Sequence, residues 1–258
     1  MAWTRTYDEA EPQRVNRWLA QNGVCSRREA EALIAQGLVT IDGAPVADAG
    51  RKIEPGQTLT LADAASERLE GALTVMLHKP VGVVSAQPEA GQVPAARLLT
   101  REALVGACAQ IPGRDSRLAP VGRLDMDSRG LLILSEDGVV AKAVIGPESA
   151  LEKEYRVAVI GEVSEAKLRR LRHGLELDGR RLRPAEVSVI SEQRLRFVLR
   201  EGRNRQIRRM CDLVDLKVVD LFRVRIGPLT LGGLRERQWR VLTAQERAAL
   251  ITASASAA

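Results

Sequence analysis

The sequence predicts an α+β protein in two parts. A front module would pack two helices on a small sheet, and a larger domain would set helices on an antiparallel or mixed sheet. Three observations carry this reading. Apolar residues recur at helical spacing up to Gly37 and then alternate up to Ala62. Short strand-like runs bounded by Gly, Pro and Asp-Gly dominate from Leu73 onward. Between them, Ala62–Ala72 is polar, rich in small residues and without sustained periodicity. The expected boundaries are a module over 12–62, a linker over 63–72 and a larger domain over 73–250. The low-complexity "ITASASAA", 251–258, reads as a disordered tail. At 258 residues the chain is long enough to bury a real core.

In the front module Val15, Trp18 and Leu19 stand at i, i+3 and i+4, so Pro12–Gln21 reads as a short helix ended near Asn22-Gly23. Ser26 followed by Glu29 is a capping box that opens a second helix. Ala30, Leu33 and Ile34 form its buried stripe, and Gly37 supplies the left-handed residue after it. Val39 and Ile41 alternate into the hairpin signal Asp42-Gly43. Pro55-Gly56 marks another turn, with Leu59 and Leu61 alternating beyond it.

In the larger domain "LTVMLHKP" and "VGVVSA" read as strands, and "LLILSEDG" as a buried run followed by a short helix over 139–145. "KEYRVAVI" is a strand, and "SEAKLRRLRHG" is a helix opened by Ser164 and closed by Gly174. "LELDGRRLRP" is a hairpin with Asp178-Gly179 at its tip, followed by the strands "AEVSVI" and "LRFVLREG". In "EGRNRQIRRMCDLVDLKVV" the residues Ile207, Met210, Cys211 and Val214 define the buried face of a helix. Arg205 and Arg209 then point away from that face. Arg208 lies on its border, where an arginine reaches toward a partly buried anion.

The chain carries 39 basic against 33 acidic residues, net +6, and the basic excess is nearly all arginine. That balance favours a polyanionic partner, and arginine's planar fork suits phosphate better than lysine does. With so few aromatics, a single-strand binder built on many stacking platforms is disfavoured. Cys25, Cys108 and Cys211 lie far apart without metal-ligand spacing, and His78 and His173 are the two histidines, so no metal site is predicted. No P-loop, dinucleotide turn or nucleophile elbow is present, and no cofactor is expected. Without an apolar leader or a run long enough to span a bilayer, the expectation is a cytoplasmic protein with no membrane partner.

One stretch stands out. "PVGRLDMDSRGLLILSEDG" places Arg123, Asp125, Asp127 and Arg129 directly before a buried run. A carboxylate that acts as nucleophile or base beside a core must stay ionised, which an adjacent arginine favours. Asp125 fits that requirement, while Asp127 reads as a loop or cap residue. On spacing alone, a turn aspartate bridged to Arg123 explains Asp125 equally well. Arg14, Arg17, Arg27 and Arg28 lie on the outer faces of the front helices, as a solvated basic face or as an RNA-docking surface.

The pattern from Arg14 and Leu19 through Ser26-Arg27, Leu33-Ile34, Gly37, Val39, Ile41 and Gly43 resembles the S4 RNA-binding domain. Gly122-Arg123-Leu124-Asp125 resembles the signature of the pseudouridine synthases, and "HKPVGVVSA", "LEKEYRVAV", "EGRNRQIRRM" and "VVDLFRVRIGPLTLGGL" extend that likeness along the chain. An S4 module ahead of such a domain is similar to the ribosomal-RNA branch, and within it to the F-type synthases of 23S rRNA. The resemblance implies a mixed, mainly antiparallel sheet with a cleft, no cofactor and Asp125 as the essential carboxylate. It also implies that Tyr155 stacks on a flipped base and that Arg208 pairs with the aspartate. Arg123 is expected in the space the base vacates or on a displaced phosphate, with Arg203, Arg205 and Arg209 as further RNA contacts.

The expected partner is therefore ribosomal RNA, 23S first, free or in an assembly intermediate, bound by a monomer. The alternatives are a synthase for 16S rRNA or a tRNA hairpin, and a non-catalytic S4-domain protein associated with the ribosome. Two departures from the family pattern stand out. His78 replaces an Asn before Lys-Pro and is assigned no catalytic role, and Arg237 stands where a turn glycine is common.

Overall fold

The computed structural model describes residues 3–113 and 116–256. Contacts divide the chain into two units, one of residues 1–73 and 135–142, the other of residues 74–134 and 143–258.

The first unit begins with β1 (Thr4–Thr6), β2 (Gln13–Arg14), α1 (Val15–Gln21) and α2 (Arg27–Ala35). It continues through β3 (Val39–Ile41), β4 (Ala44–Pro45), β5 (Lys52–Ile53), β6 (Thr58–Leu61) and α3 (Asp63–Glu70). One sheet runs β1-β6-β3-β4, and β2 and β5 form a separate pair. Trp18, Leu19, Leu33, Ile34, Leu59 and Leu61 share one buried cluster, because helical spacing and strand alternation put each on an inward face.

The expected capping box is present: Ser26 Oγ accepts from Glu29 N, and the Glu29 carboxylate accepts from Ser26 N. Asp42 and Gly43 sit at φ 50° and 81°, the left-handed pair that a two-residue hairpin turn requires. Two expectations are corrected. The first helix starts at Val15 rather than Pro12, because Gln13 and Arg14 pair with Ile53 and Lys52. The segment expected to be an irregular linker is helical over Asp63–Glu70. Its Ala, Glu, Arg and Leu residues favour helix, and Ala65 and Leu69, four apart, pack on the cluster.

The second unit, taken together with residues 135–142 for continuity of the chain, has β7 (Thr74–Lys79), a 3-10 turn (Ala95–Leu98), β8 (Ala119–Val121), β9 (Arg129–Ser135) and α4 (Gly138–Ile145). Then come β10 (Lys153–Ile160), α5 (Glu165–Arg172), β11 (Glu176–Leu177), β12 (Arg180–Arg181), β13 (Glu186–Ser191) and β14 (Arg194–Leu199). The chain ends with α6 (Gln206–Asp212), β15 (Lys217–Ile226), β16 (Leu229–Thr230), β17 (Trp239–Val241) and α7 (Ala244–Ser256). The sheet runs β13-β14-β10-β15-β9-β7-β17, with β8 on β9 and β16 on β15. It is mixed and mainly antiparallel: β15 and β9 run parallel, with Arg223 opposite Gly130. Leu131–Leu134 are all buried, as their unbroken apolar run predicts, while β10 buries alternate residues.

Three differences concern this part of the chain. "VGVVSA" makes a single bridge, Val84 to Pro94, instead of a strand, because its polar groups serve the loop described below. Helix α7 continues through Ser256, where a disordered tail was expected from 251. Leu250 is buried and anchors it, and the alanines beyond propagate it. Ala257 and Ala258 lie outside the described residues. Arg237 keeps the turn that glycine commonly makes, at φ 70° and a cost of about 1 kcal/mol.

Candidate active site

Residues 122–128 link β8 to β9, and every backbone carbonyl from Gly122 to Ser128 has a hydrogen-bond donor. The Arg223 guanidinium donates to Gly122 O (3.1 Å) and Arg123 O (3.4 Å), and its Nε donates to Leu131 O (2.8 Å). Ser85 Oγ donates to Leu124 O at 2.6 Å and accepts from Leu124 N at 2.9 Å. Asp125 O accepts from Ser128 N (3.1 Å), and Met126 O from Gly82 N (2.8 Å). Arg208 Nη2 donates to Asp127 O (2.8 Å), and Lys79 Nζ to Ser128 O (2.8 Å). Arg223 is 2% exposed and Lys79 fully buried. Burial pulls Lys79 down to about 8, although Asp125 and Asp127 work in the opposite direction. A loop held at every carbonyl is organised before any substrate arrives.

The Asp125 side chain is 34% exposed, and its Oδ2 lies 3.3 Å from Arg205 Nη1. Arg205 Nη2 stands 3.0 Å from Asp127 Oδ2, and Arg208 Nη2 stands 3.2 Å from Asp127 Oδ1. Two expectations change here. The arginine paired with Asp125 is Arg205, not Arg208, which binds Asp127 through both carboxylate and carbonyl. Asp127 in turn is the bridge between the two arginines rather than a plain loop residue. The cause lies in α6. Arg208 sits on the border of its buried face, as the helical spacing predicts, and reaches Asp127 and Val218 O (3.2 Å). Arg205 precedes the helix in the left-handed conformation, φ 48°, and that bend carries its guanidinium to both carboxylates.

Tyr155 projects from the inward-alternating face of β10 and is 9% exposed. Among the described residues its hydroxyl has no hydrogen-bond partner. With Arg123, Asp125, Ser128, Arg205 and Leu221 it lines a cavity of about 200 Å³. The structure thus brings Asp125, Tyr155, Arg123, Arg203 and Arg205 to one cleft.

The other expected RNA contacts divide. Arg14, Arg17, Arg27, Arg28 and Arg123 are exposed, and among the described residues their guanidinium groups make no hydrogen bond or ion pair. Arg203 is committed to the carbonyls of Leu177, Arg180 and Arg181, and Arg209 pairs with Asp178 at 2.6 Å. In this state both tie the β11–β12 hairpin to the fold instead of standing free. His78 stacks on Phe222 at 5.4 Å and its Nδ1 lies 2.9 Å from Leu234 O; burial holds it below the ordinary histidine range. Burial pushes the Cys25 and Cys211 thiols up to about 12, far from thiolate chemistry at neutral pH.

Sequence reasoning missed Lys79, Ser85 and Arg223, the groups that hold the loop. One signal was available: a lysine in the buried strand "LTVMLHKP" needs carbonyl partners, and the nearby stretch offered no carboxylate.

A carboxylate set among arginines beside a tyrosine, in a chain that also carries a small arginine-faced unit, defines an enzyme directed at nucleic acid. The family follows from comparison. The RNA pseudouridylate synthase model matches residues 73–213, and the S4 domain model matches residues 13–59. An uncharacterized RNA pseudouridine synthase of Aquifex aeolicus is 32% identical over 93% of this chain and 94% of its own length. The ribosomal large subunit pseudouridine synthase B of Bacillus subtilis is 33% identical over 91% and 93%. The dual-specificity RNA pseudouridine synthase RluF of Escherichia coli is 33% identical over 90% of this chain and 76% of its own. A crystal structure of a pseudouridylate synthase superposes with a TM-score of 0.64 at 26% identity, covering 92% of this chain and 99% of that one. This chain belongs to the RNA pseudouridine synthase family. It is an S4-domain pseudouridine synthase acting on RNA. Among the described residues no helix is long and apolar enough to cross a membrane.

Proposed function

We propose that this protein converts a uridine of large-subunit ribosomal RNA into pseudouridine, with Asp125 as the reacting carboxylate. The observation that carries the proposal is the geometry around that side chain. Asp125 is partly open to solvent in a cleft beside Tyr155, on a backbone fixed at every carbonyl, with Arg205 at 3.3 Å.

The uridine is flipped out of its stack, at a cost of a few kcal/mol, and its ring stacks on Tyr155. The Asp125 carboxylate then attacks C1′ or removes the C2′ proton. Either path breaks the N1–C1′ bond and leaves the pair of electrons on N1 of uracil. The base turns and C5 bonds to C1′, displacing the carboxylate in the first path or with the proton returned to C2′ in the second; the C5 proton leaves to solvent and N1 takes up a proton. Arg205 and Arg208 hold the two aspartates through this sequence, and Arg123 stands free to meet the RNA where the base departed.

The name of the Bacillus subtilis relative supports the large-subunit target, and the name of the dual-specificity relative supports a second RNA as substrate. The test is tritium release from [5-³H]uridine-labelled transcripts of the large and small subunits and from tRNA, free and in assembly intermediates. Wild type should release tritium from large-subunit RNA. Asp125→Asn should fall to the uncatalysed background while still binding the transcript. Release by Asp125→Asn at the wild-type rate would remove Asp125 from the chemistry, and release from small-subunit RNA alone would move the target.

A further inference from the structure

Next to the Asp125 cleft lies a second hollow, of about 340 Å³. It shares Arg123, Tyr155, Glu201, Gly202 and Arg203 with the cleft, so the two adjoin across the tyrosine ring. Its remaining cations are Lys153, Arg183, Arg200 and Arg223. Lys153 is two residues before Tyr155 on the same face of β10, about 7 Å along the strand.

The charge in this hollow is unbalanced. Lys153 is 8% exposed, and its ammonium makes one hydrogen bond, to Leu151 O at 3.2 Å. Among the described residues no carboxylate lies within ion-pair distance of it. The Arg223 guanidinium bonds to carbonyls alone. The Arg123 and Arg183 guanidinium groups are exposed, with no partner among the described residues. Arg200 pairs with Glu152 at 3.0 Å, on a side chain that is 60% exposed. Glu201 is the carboxylate on the wall, and its oxygens already accept from Arg203 Nε (3.4 Å), Gln206 Nε2 (2.9 Å) and Arg183 N (3.1 Å). The carbonyl end of α4 also borders the hollow, but Ser149 Oγ lies 2.6 Å from Ala143 O and 3.1 Å from Val144 O and caps it.

A buried ammonium with one carbonyl partner is an incomplete arrangement, because removing a cation from water is costly unless an anion or further acceptors replace the water. We propose that this hollow seats a backbone phosphate of the RNA, adjoining the nucleotide held in the Asp125 cleft, with Lys153, Arg183 and Arg123 as its ligands. The inference rests on the reading of the cleft as the uridine site. A phosphodiester fits because it carries one charge per nucleotide and repeats along the strand that delivers the base. Burial and the nearby Arg223 bring Lys153 down to about 8, so it still carries its charge at neutral pH.

The experiment compares wild type with Arg183→Ala and Lys153→Met on a labelled large-subunit rRNA transcript, measuring binding against salt and turnover by tritium release. Arg183→Ala removes an exposed guanidinium and keeps the backbone bond to Glu201, so its fold is secure if Lys153→Met fails to fold. Each folded variant should flatten the slope of log K against log salt by about 0.7, one single-strand phosphate contact. KM should rise about tenfold, as expected for one charge-assisted contact, with a smaller change in kcat. Wild-type slope and KM in both Arg183→Ala and a folded Lys153→Met would overturn the phosphate seat while tritium release left the uridine site intact. A flattened slope in the variants with no tritium release by any form would instead overturn the uridine site and leave the phosphate seat standing.

Discussion

At the scale of single residues, two aspartates two positions apart are treated differently by the same pair of arginines. Asp125 has one ion-pair contact, at 3.3 Å, whereas Asp127 is gripped by Arg205 and Arg208 together. Burial alone would raise Asp127, but the hydrogen bond from Arg205 and the charge of Arg208 outweigh it, so the carboxyl lies below its ordinary range. A carboxylate lowered by folding stabilises the protein above its unfolded value, and that stabilisation is lost as pH falls through the folded value. Asp127→Asn should therefore lower stability at pH 6 and lose that effect progressively as acid takes the pH below the ordinary carboxylate range. The side chain is nearly half exposed, so the difference at pH 6 should stay within about 1 kcal/mol. Urea unfolding at pH 6 and below that range measures it, and an equal deficit at both would show that the ion pairs are not the cause.

At the scale of elements, the legible features were those written in neighbouring residues. Ser26 with Glu29, Asp42-Gly43, Asp178-Gly179 and the run Leu131–Leu134 each announced a cap, a turn or a buried strand, and each is present. "VGVVSA" misled because its apolar alternation is that of a strand, while Gly82 N and Ser85 Oγ are committed to a loop about forty residues away. Helix α3 was hidden because one buried turn, Ala65 and Leu69, is too short to show a period. The parallel contact of β9 with β15 was invisible for the same reason of distance, and it makes its own demand. Gly130 has φ 113°, and a Cβ there would stand 2.2 Å from Arg223 O. Gly130→Ala should destabilise the protein by at least about 2 kcal/mol, from strain and a clash against backbone that cannot turn aside. A thermal melt within 1 °C of wild type would show that β15 can move away.

At the scale of the whole molecule, the net charge of +6 is unevenly employed. Many arginines are tied within the fold, as Arg203, Arg209 and Arg223 are, whereas the exposed guanidinium groups of Arg14, Arg17, Arg27 and Arg28 in the first unit make no hydrogen bond or ion pair among the described residues. Replacing those four by alanine should flatten the salt dependence of RNA binding by about 3 in slope, at 0.7 to 0.9 per phosphate. Fluorescence titration across a range of salt concentrations measures it, and an unchanged slope would reduce them to a solvated face. The cleft was legible as far as its front residues. Gly122–Asp125 and Tyr155 carried the family resemblance, but the choice of Arg205 over Arg208 depended on one left-handed residue that no local pattern announces. The groups beneath the loop were not legible, because Lys79, Ser85 and Arg223 act on it from far along the chain.

That arrangement has a consequence for how such an enzyme can change. Each residue from 122 to 128 is held at its main-chain carbonyl, a group that every amino acid possesses. A mutation at Arg123 or Met126 changes an exposed side chain and leaves those anchoring oxygens where they were. Selection for a new RNA can work on the outer side chains of this loop while the position of Asp125 is inherited unchanged.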